Sequence, residues 1–469
     1  MSRRKKVVLG VVILLVVTLV ALVVIVPLLF NLDRYRPQVA ALIEQQMGKP
    51  TEIGHLALTV FPRLSIRVDD FALKNPPGFP ADYYVKARRI YAVIDAGELW
   101  KHEVVIKSLE LEAPAISLLS GPRGNWNFGS QPHSTKPDPD PPGDKPLFTL
   151  GVISNVKISK GTLSVANLMP SGQPGPAFIA AEGVSSKLWQ VDLNALTESA
   201  GYAAESTRAL VAEGTFEMDT LHVMGLAMTK VKSKLHLFPK QVFLDGLEFK
   251  CYDGAGGGDL YFAFPGPNPR YSTQAKLSGL NAAKVLDAIP EVRGKLTGTL
   301  DGAVTLEGEL SHSPDPLAGI GGSGHFAIRN GRLPSLQWNA NLLQLSRVAK
   351  MGPATGDPSS FSSIAIDFTI ANNRINTTQA TIVGNGVEVE GSGSLGLAGR
   401  GDLNYQGVAR VVTSQNALTT ILRGISGATL ENGKMAFHFK ITGTLQNPQF
   451  TLMPSAAVSQ KGTGKGAKP

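Results

Sequence analysis

Apolar and polar residues alternate one by one along segment after segment of this chain, and that period fixes the kind of structure it can form. Ile364, Ile366, Phe368 and Ile370 alternate with Ala365, Asp367 and Thr369; Met435, Phe437, Phe439 and Ile441 alternate with Ala436, His438 and Lys440. Successive side chains of a strand point to opposite faces, so each segment makes a strand with one apolar and one polar side. The pattern recurs at 56–60, 64–68, 109–118, 156–158, 163–165, 235–237, 242–244, 260–264 and 296–306. With 50 glycines and 31 prolines between and within them, these read as short strands that turn at glycine. The expected class is mainly β: elongated, groove-like units of antiparallel or curled sheet with a few short helices. Those helices are expected at 33–47, which stops at Gly48 and Pro50, at 281–289 before Pro290, and at 335–350, where Trp338, Leu342, Leu345 and Ala349 fall on one face.

The apolar side of each strand must meet something. It can pack on a second sheet or on helices, as in an ordinary sandwich, or the sheet can curl into a trough whose apolar interior stays open. Alternation alone leaves both outcomes standing, with the sandwich the more ordinary.

Residues 7–30 carry no charge and are mostly Val, Leu and Ile. As a helix they reach roughly 36 Å, enough for a hydrocarbon core of about 30 Å. A cleaved signal peptide would have a shorter apolar stretch ending in small residues, whereas Pro27, Leu28, Leu29 and Phe30 continue this one, so a retained transmembrane helix is expected. Arg3, Arg4, Lys5 and Lys6 before it belong on the cytoplasmic side, which sends the rest of the chain across the membrane. Those four cations, with Lys461, Lys465 and Lys468 near the other end, account for seven of the net +8. The nearly neutral remainder argues against nucleic-acid binding, which needs a basic face.

Residues 129–145 are nearly all Pro, Asp, Ser, Gly and Lys and cannot bury enough apolar surface to offset ordering entropy. The expected organisation is therefore a basic segment at 1–6, a membrane helix at 7–30, β domains at 31–128, 147–310 and 311–455, a linker at 129–146 and a basic tail at 456–469. The lone Cys251 cannot form an intrachain disulfide and reads as a small buried residue.

No catalytic constellation, cofactor site or metal site emerges. The eight histidines are scattered, and His102-Glu103 lacks the second ligand of a zinc-protease motif because Ile106 stands in its place. Residues 391–396 literally match the dinucleotide fingerprint, but a glycine-rich strand region follows instead of a helix. Residues 427–434 miss the P-loop spacing, and Met435 stands where Ser or Thr must hold magnesium. Asp69-Asp70 reads as a strand-end turn, Glu388 and Glu390 as neighbours on one exposed strand face, and His438 as a solvated residue.

Three stretches resemble the AsmA family of bacterial envelope proteins. They are Phe30-Asn31-Leu32-Asp33-Arg34-Tyr35-Arg36-Pro37 with Gly48-Lys49-Pro50; Asn75-Pro76-Pro77-Gly78-Phe79 with Gly124-Asn125-Trp126; and a C-terminal series. That series comprises 324–331, Ala371-Asn372-Asn373-Arg374-Ile375, Gly391-Ser392-Gly393 and 441–448. The resemblance implies an inner-membrane anchor, a periplasmic body related to groove-forming lipid transfer proteins, and a part in phospholipid traffic or outer-membrane assembly. It supplies no catalytic residues. The Pro/Asp segment and the modest length depart from the family's larger members. Roughly 30 strands at about 4.8 Å extend at most about 140 Å, so a partial conduit or an assembly factor fits more easily than a complete bridge between two membranes.

The expected function is non-catalytic handling of phospholipid in an apolar groove at the inner membrane, with the body periplasmic. Ile364, Ile366, Phe368, Ile370, Phe437, Phe439 and Ile441 are the candidates to line it. The partners implied are the inner membrane, phospholipid acyl chains and other envelope proteins. The alternative is a scaffold that assists outer-membrane proteins through exposed strand edges.

Overall fold

The computed structural model describes residues 31–61, 63–95, 97, 105–122, 125–128, 152–192, 210–264, 269–288, 293–309, 319–333, 359–384, 387–397, 401–411, 428–432 and 434–453. The basic segment at 1–6, the apolar run at 7–30, the Pro/Asp segment at 129–146, the helix expected at 335–350 and the tail at 456–469 lie outside them. Among the described residues no helix is long and apolar enough to cross a membrane.

The chain begins with a short 3-10 turn, Leu32–Tyr35, which runs into helix α1, Arg36–Met47. Gly48 ends the helix in the left-handed conformation (φ 64°), and its N–H donates to the Glu44 carbonyl. Almost everything after it is strand. The chain divides into two compact units, one built on residues up to Val223 with Thr229–Asp245, the other chiefly from Asn268 onward.

The first unit contains β1 (Thr51–Glu52), β2 (His55–Thr59), β3 (Ser65–Lys74), β4 (Tyr83–Ile94), β5 (Ile106–Ser120), β6 (Val152–Leu168), β7 (Pro174–Asp192) and β8 (Ala212–Val223). β1 and β2 both pair with β3, and the rest pair in chain order. The pairing is antiparallel except between β5 and β6, which run parallel from Ser108↔Asn155 to Ser120↔Asn167. A parallel neighbour needs a long crossover, and the Pro/Asp-rich stretch is the chain between these two strands.

β9 (Leu226–Phe238), β10 (Gln241–Cys251) and β11 (Gly254–Ala263) follow, and then the strands of the second unit. These are β12 (Arg270–Asn281), β13 (Thr297–Glu309), β14 (Gly321–Arg332), β15 (Ser360–Ala371), β16 (Arg374–Gly384), β17 (Val387–Gly396), β18 (Leu403–Val411), β19 (Ala428–Glu431), β20 (Lys434–Gly443) and β21 (Pro448–Leu452). They pair antiparallel in order from β12 to β18; β18 and β19 then both pair with β20, and β20 with β21. Helix α2, Ala282–Asp287, starts where the Asn281 side chain accepts the Lys284 N–H.

The mainly β class is as expected, but the strands are not short segments that turn at each glycine. β6 and β7 run 17 and 19 residues. Gly161 lies inside β6 at a change of register, and Gly183 (φ 67°) lies inside β7. Such residues form bulges that bend a strand without ending it. Asp69 and Asp70 are likewise not a strand-end turn: both lie within β3, where Asp70 adopts φ 51°. The hairpins turn instead at residue pairs with positive φ, Met224-Gly225, Tyr252-Asp253 and Asn372-Asn373, the geometry that suits the strands' own twist.

The second unit's sheet bends back on itself. The Lys295 Nζ, just before β13, donates to the Leu445 carbonyl just after β20 at 2.6 Å. Six strand-to-strand steps separate β13 from β20, about 29 Å across a flat sheet, which no lysine side chain spans. With a twist of about 20–25° per step the strand direction turns by roughly 130°, which brings one end of β20 round toward the opposite end of β13.

Candidate functional site

Register places all seven lining candidates on one face of the second unit. Reading across the strands, one rung is Leu280–Leu300–Ile328–Ile364–Ile382–Val389–Ala409–Phe437. The next is Leu277–Gly302–Phe326–Ile366–Ala380–Gly391–Gly407–Phe439–Leu452. A third runs Ala275–Val304–Gly324–Phe368–Thr377–Gly393–Tyr405–Ile441–Phe450, and a fourth Thr273–Leu306–Gly322–Ile370–Ile375–Leu395–Leu403. Ile364, Phe368, Phe437 and Phe439 are buried, while Ile366, Ile370 and Ile441 are half-buried.

The floor of this face is low because its aromatic rings lie down on glycines of neighbouring strands. A Cβ on Gly324 would sit 2.5 Å from the Phe368 ring, and one on Gly407 2.8 Å from the Phe439 ring. Gly302 leaves the same space for Phe326, and Gly393 for Tyr405. Phe326 stacks on Phe368 with centroids 5.3 Å apart, and Phe439 on Phe450 at 5.2 Å. At the end of the fourth rung, Ile370, Ala371, Asn372, Asn373, Gly321 and Gly322 line an open cleft of about 580 Å³.

The reverse face is polar and ion-paired. Arg329 pairs with Asp301, His325 with Asp367 (2.7 Å), Lys434 with Glu388 (2.7 Å), and Arg410 with Glu390 (2.8 Å). The Lys434 contact holds the Glu388 carboxyl below the usual range. His438 departs from expectation: its ring is largely covered, and Nε2 lies 3.1 Å from Glu431 Oε1. Residues 391–396 lie within β17, continuous with its pairing to β16 and β18. Cys251 is buried as expected, and desolvation raises its thiol pKa. Among the described residues no group of three or more His, Cys, Asp or Glu could hold a metal ion.

The first unit shows the same division. Leu56–Val68–Ile90–Leu111–Ile158 and Leu58–Ile66–Ala92–Leu109–Val156–Leu188 are apolar rungs, between which lie Ala57–Arg67–Tyr91–Glu110–Lys157–Lys187. Its core cluster is Ile153, Leu188, Val191, Ala212 and Leu235.

At one end of the first unit, the residues that carry the sequence resemblance converge in a buried polar knot. Asn127, fully buried, donates through Nδ2 to Asn75 Oδ1 (2.8 Å) and the Ser117 carbonyl (2.7 Å), and its Oδ1 accepts the Leu119 N–H (2.9 Å). Lys49, 6% exposed, donates to the Asn127 carbonyl at 2.8 Å and lies 5.2 Å from the Tyr84 ring centroid. Desolvation pushes the Lys49 ammonium pKa down and that of the Tyr84 phenol up. Buried Trp126 bridges to Ser120 beside them. The knot was hidden in the sequence because its members lie 78 and 52 residues apart. Their one visible signal was Asn and Lys at Gly/Pro-bounded positions.

The sequence model of the AsmA family matches residues 1–165, the stretch that contains this knot. Residues 1–165 belong to the AsmA family. No curated protein matches the chain, and no solved structure does. AsmA-family sequence thus covers the part of the chain that runs from its start through Lys49, Asn75 and Asn127 into β6.

Proposed function

We propose that this is a non-catalytic protein of the bacterial envelope that shelters phospholipid acyl chains on the apolar sheet face, contributing to lipid traffic between membranes and to outer-membrane biogenesis. Residues 7–30 anchor it in the inner membrane, and the body lies in the periplasm. The observation that carries the reading is the unbroken apolar rungs of the second unit on a sheet that bends back on itself. Apolar area leaves water at roughly 25 cal/mol per Å², so acyl chains would partition onto such a face without bonds or cofactors. AsmA-family membership of residues 1–165 supports the envelope setting.

Native mass spectrometry of the detergent-extracted full chain tests this, with bound phospholipid the expected result. Phe368→Asp and Phe439→Asp should each remove the lipid while circular dichroism stays that of a β protein. Loss of folding in both would identify the face as a closed core and defeat the proposal. Protease digestion of spheroplasts should reach the C-terminal end from the periplasmic side; protection there would overturn the location.

A second reading has its own observation. All five residues of β21 are exposed, and β21 pairs, among the described residues, only with β20. An open edge of this kind can accept a strand from another protein, as an assembly factor for outer-membrane proteins requires. Crosslinks from β21 to β-barrel precursors, with no lipid bound, would favour that role.

A further inference from the structure

One pair of side chains breaks the apolar character of the face just described. Thr377 on β16 and Tyr405 on β18 belong to the third rung, with Gly393 of β17 between them. Their hydroxyls meet above that glycine, Thr377 Oγ1 lying 2.9 Å from the Tyr405 phenol oxygen. Thr377 is only 6% exposed. A side chain on Gly393 would abolish the contact, since its Cβ would stand 2.5 Å from the Tyr405 Cα and 2.7 Å from the ring. Two hydroxyls carry two donor hydrogens, and the bond between them uses one. Among the described residues the second has no acceptor. Leaving a donor unused on a sheltered apolar surface costs free energy, which a ligand with an acceptor at that place would recover.

We propose that Thr377 and Tyr405 form a hydrogen-bonding foothold for the ester carbonyl of an acyl lipid lying on this face. The inference rests on the reading of the face as a lipid-sheltering surface, and it names where the lipid's polar–apolar boundary falls. Successive rungs are about 6.8 Å apart, so the distance from the third rung to the first is about 14 Å. One leaflet's share of a hydrocarbon core is about 15 Å. An acyl chain laid along the strands with its ester at Thr377 and Tyr405 therefore ends near the first rung, at Ile364 and Phe437. In the other direction the headgroup passes the fourth rung and reaches turn residues that are polar, Asn372, Asn373 and Asp402. Ester-linked lipid is thus favoured over hydrocarbon or ether-linked lipid of equal length.

The test is a competition on the full chain in detergent between diester phosphatidylethanolamine and its diether analogue, read by native mass spectrometry. The wild-type chain should retain the diester about fivefold over the diether, the size of one neutral hydrogen bond. Tyr405→Phe, which keeps the ring over Gly393, and Thr377→Val should each bring that ratio close to one while total bound lipid is unchanged. Thr377→Ser should restore it. Equal retention of the two lipids by the wild-type chain, or an undiminished ratio in both hydroxyl-free variants, overturns the foothold and leaves the lipid-sheltering face intact. Retention of neither lipid overturns the face and the foothold together.

Discussion

The two units close their outer edges in different ways. At the first unit's edge the chain covers its own strand: Asp33 Oδ1 accepts the Leu56 N–H at 3.0 Å, and Arg36 donates to the Gly54 carbonyl at 2.7 Å. That accepted N–H holds the Asp33 carboxyl below the usual range. At the second unit's edge, β21 exposes Phe450 (40%) and Leu452 (36%), both continuing apolar rungs. A covered edge resists pairing with a stray strand and an uncovered one invites it. The first unit is also fastened by buried polar contacts, whereas the described face of the second is held by apolar rungs and rings on glycine. Polar contacts fix a geometry; apolar rungs leave a surface that something else can use.

The largest effect should come from the polar knot. Asn127→Ala leaves the partners at Asn75, Ser117 and Leu119 unsatisfied in a buried place, at a cost of about 3 kcal/mol. Urea unfolding should show the loss in the first unit's transition, and an unchanged midpoint would mean that the knot contributes nothing. Gly324→Val tests the other unit by pushing a side chain into the Phe368 ring. About 2 kcal/mol of destabilisation and reduced lipid retention are expected.

How much of this could be read from residues alone depended on sequence distance. Ile364, Ile366, Phe368 and Ile370 declare a shared face because strand geometry repeats every second residue, and Asn372-Asn373 declares its turn because few other residues accept positive φ. The parallel join of β5 to β6 was not legible, since no local pattern records which distant strand a segment will meet. Gly161 was misread because a glycine inside a long strand and a glycine between two short ones look alike. Thr377 and Tyr405 were hidden for the same reason as Lys49 and Asn127: each pair becomes one feature only when intervening chain is folded away.

Smaller changes sharpen the contrast of edges. Asp33→Ala should cost about 1 kcal/mol by freeing the Leu56 N–H, and hydrogen exchange at Leu56 should speed up. Lys49→Met removes a desolvated charge, so its unfolding midpoint at pH 7 should equal or slightly exceed that of the wild type. Because folding lowers the Lys49 pKa, the unfolded chain holds the proton more tightly. Wild-type stability should therefore rise between that lowered value and the ordinary lysine value of 10.5, closing the gap to Lys49→Met. A gap that widens with pH would contradict the burial of a charged Lys49. Smallest of all, Thr451→Lys on β21 should change stability by less than about 0.5 kcal/mol. If strand partners dock there, it should still suppress crosslinking at that edge.

From β12 to β18 every strand of the second unit pairs with its immediate successor in the chain. Inserting or deleting two consecutive strands at such a hairpin would restore the chain's direction and leave each remaining row in phase with its neighbours. Evolution could therefore lengthen or shorten such a sheet in increments of about 9.6 Å, twice the strand spacing, without redesigning what stays behind. Reach, on that view, is an adjustable property of the architecture rather than a fixed one.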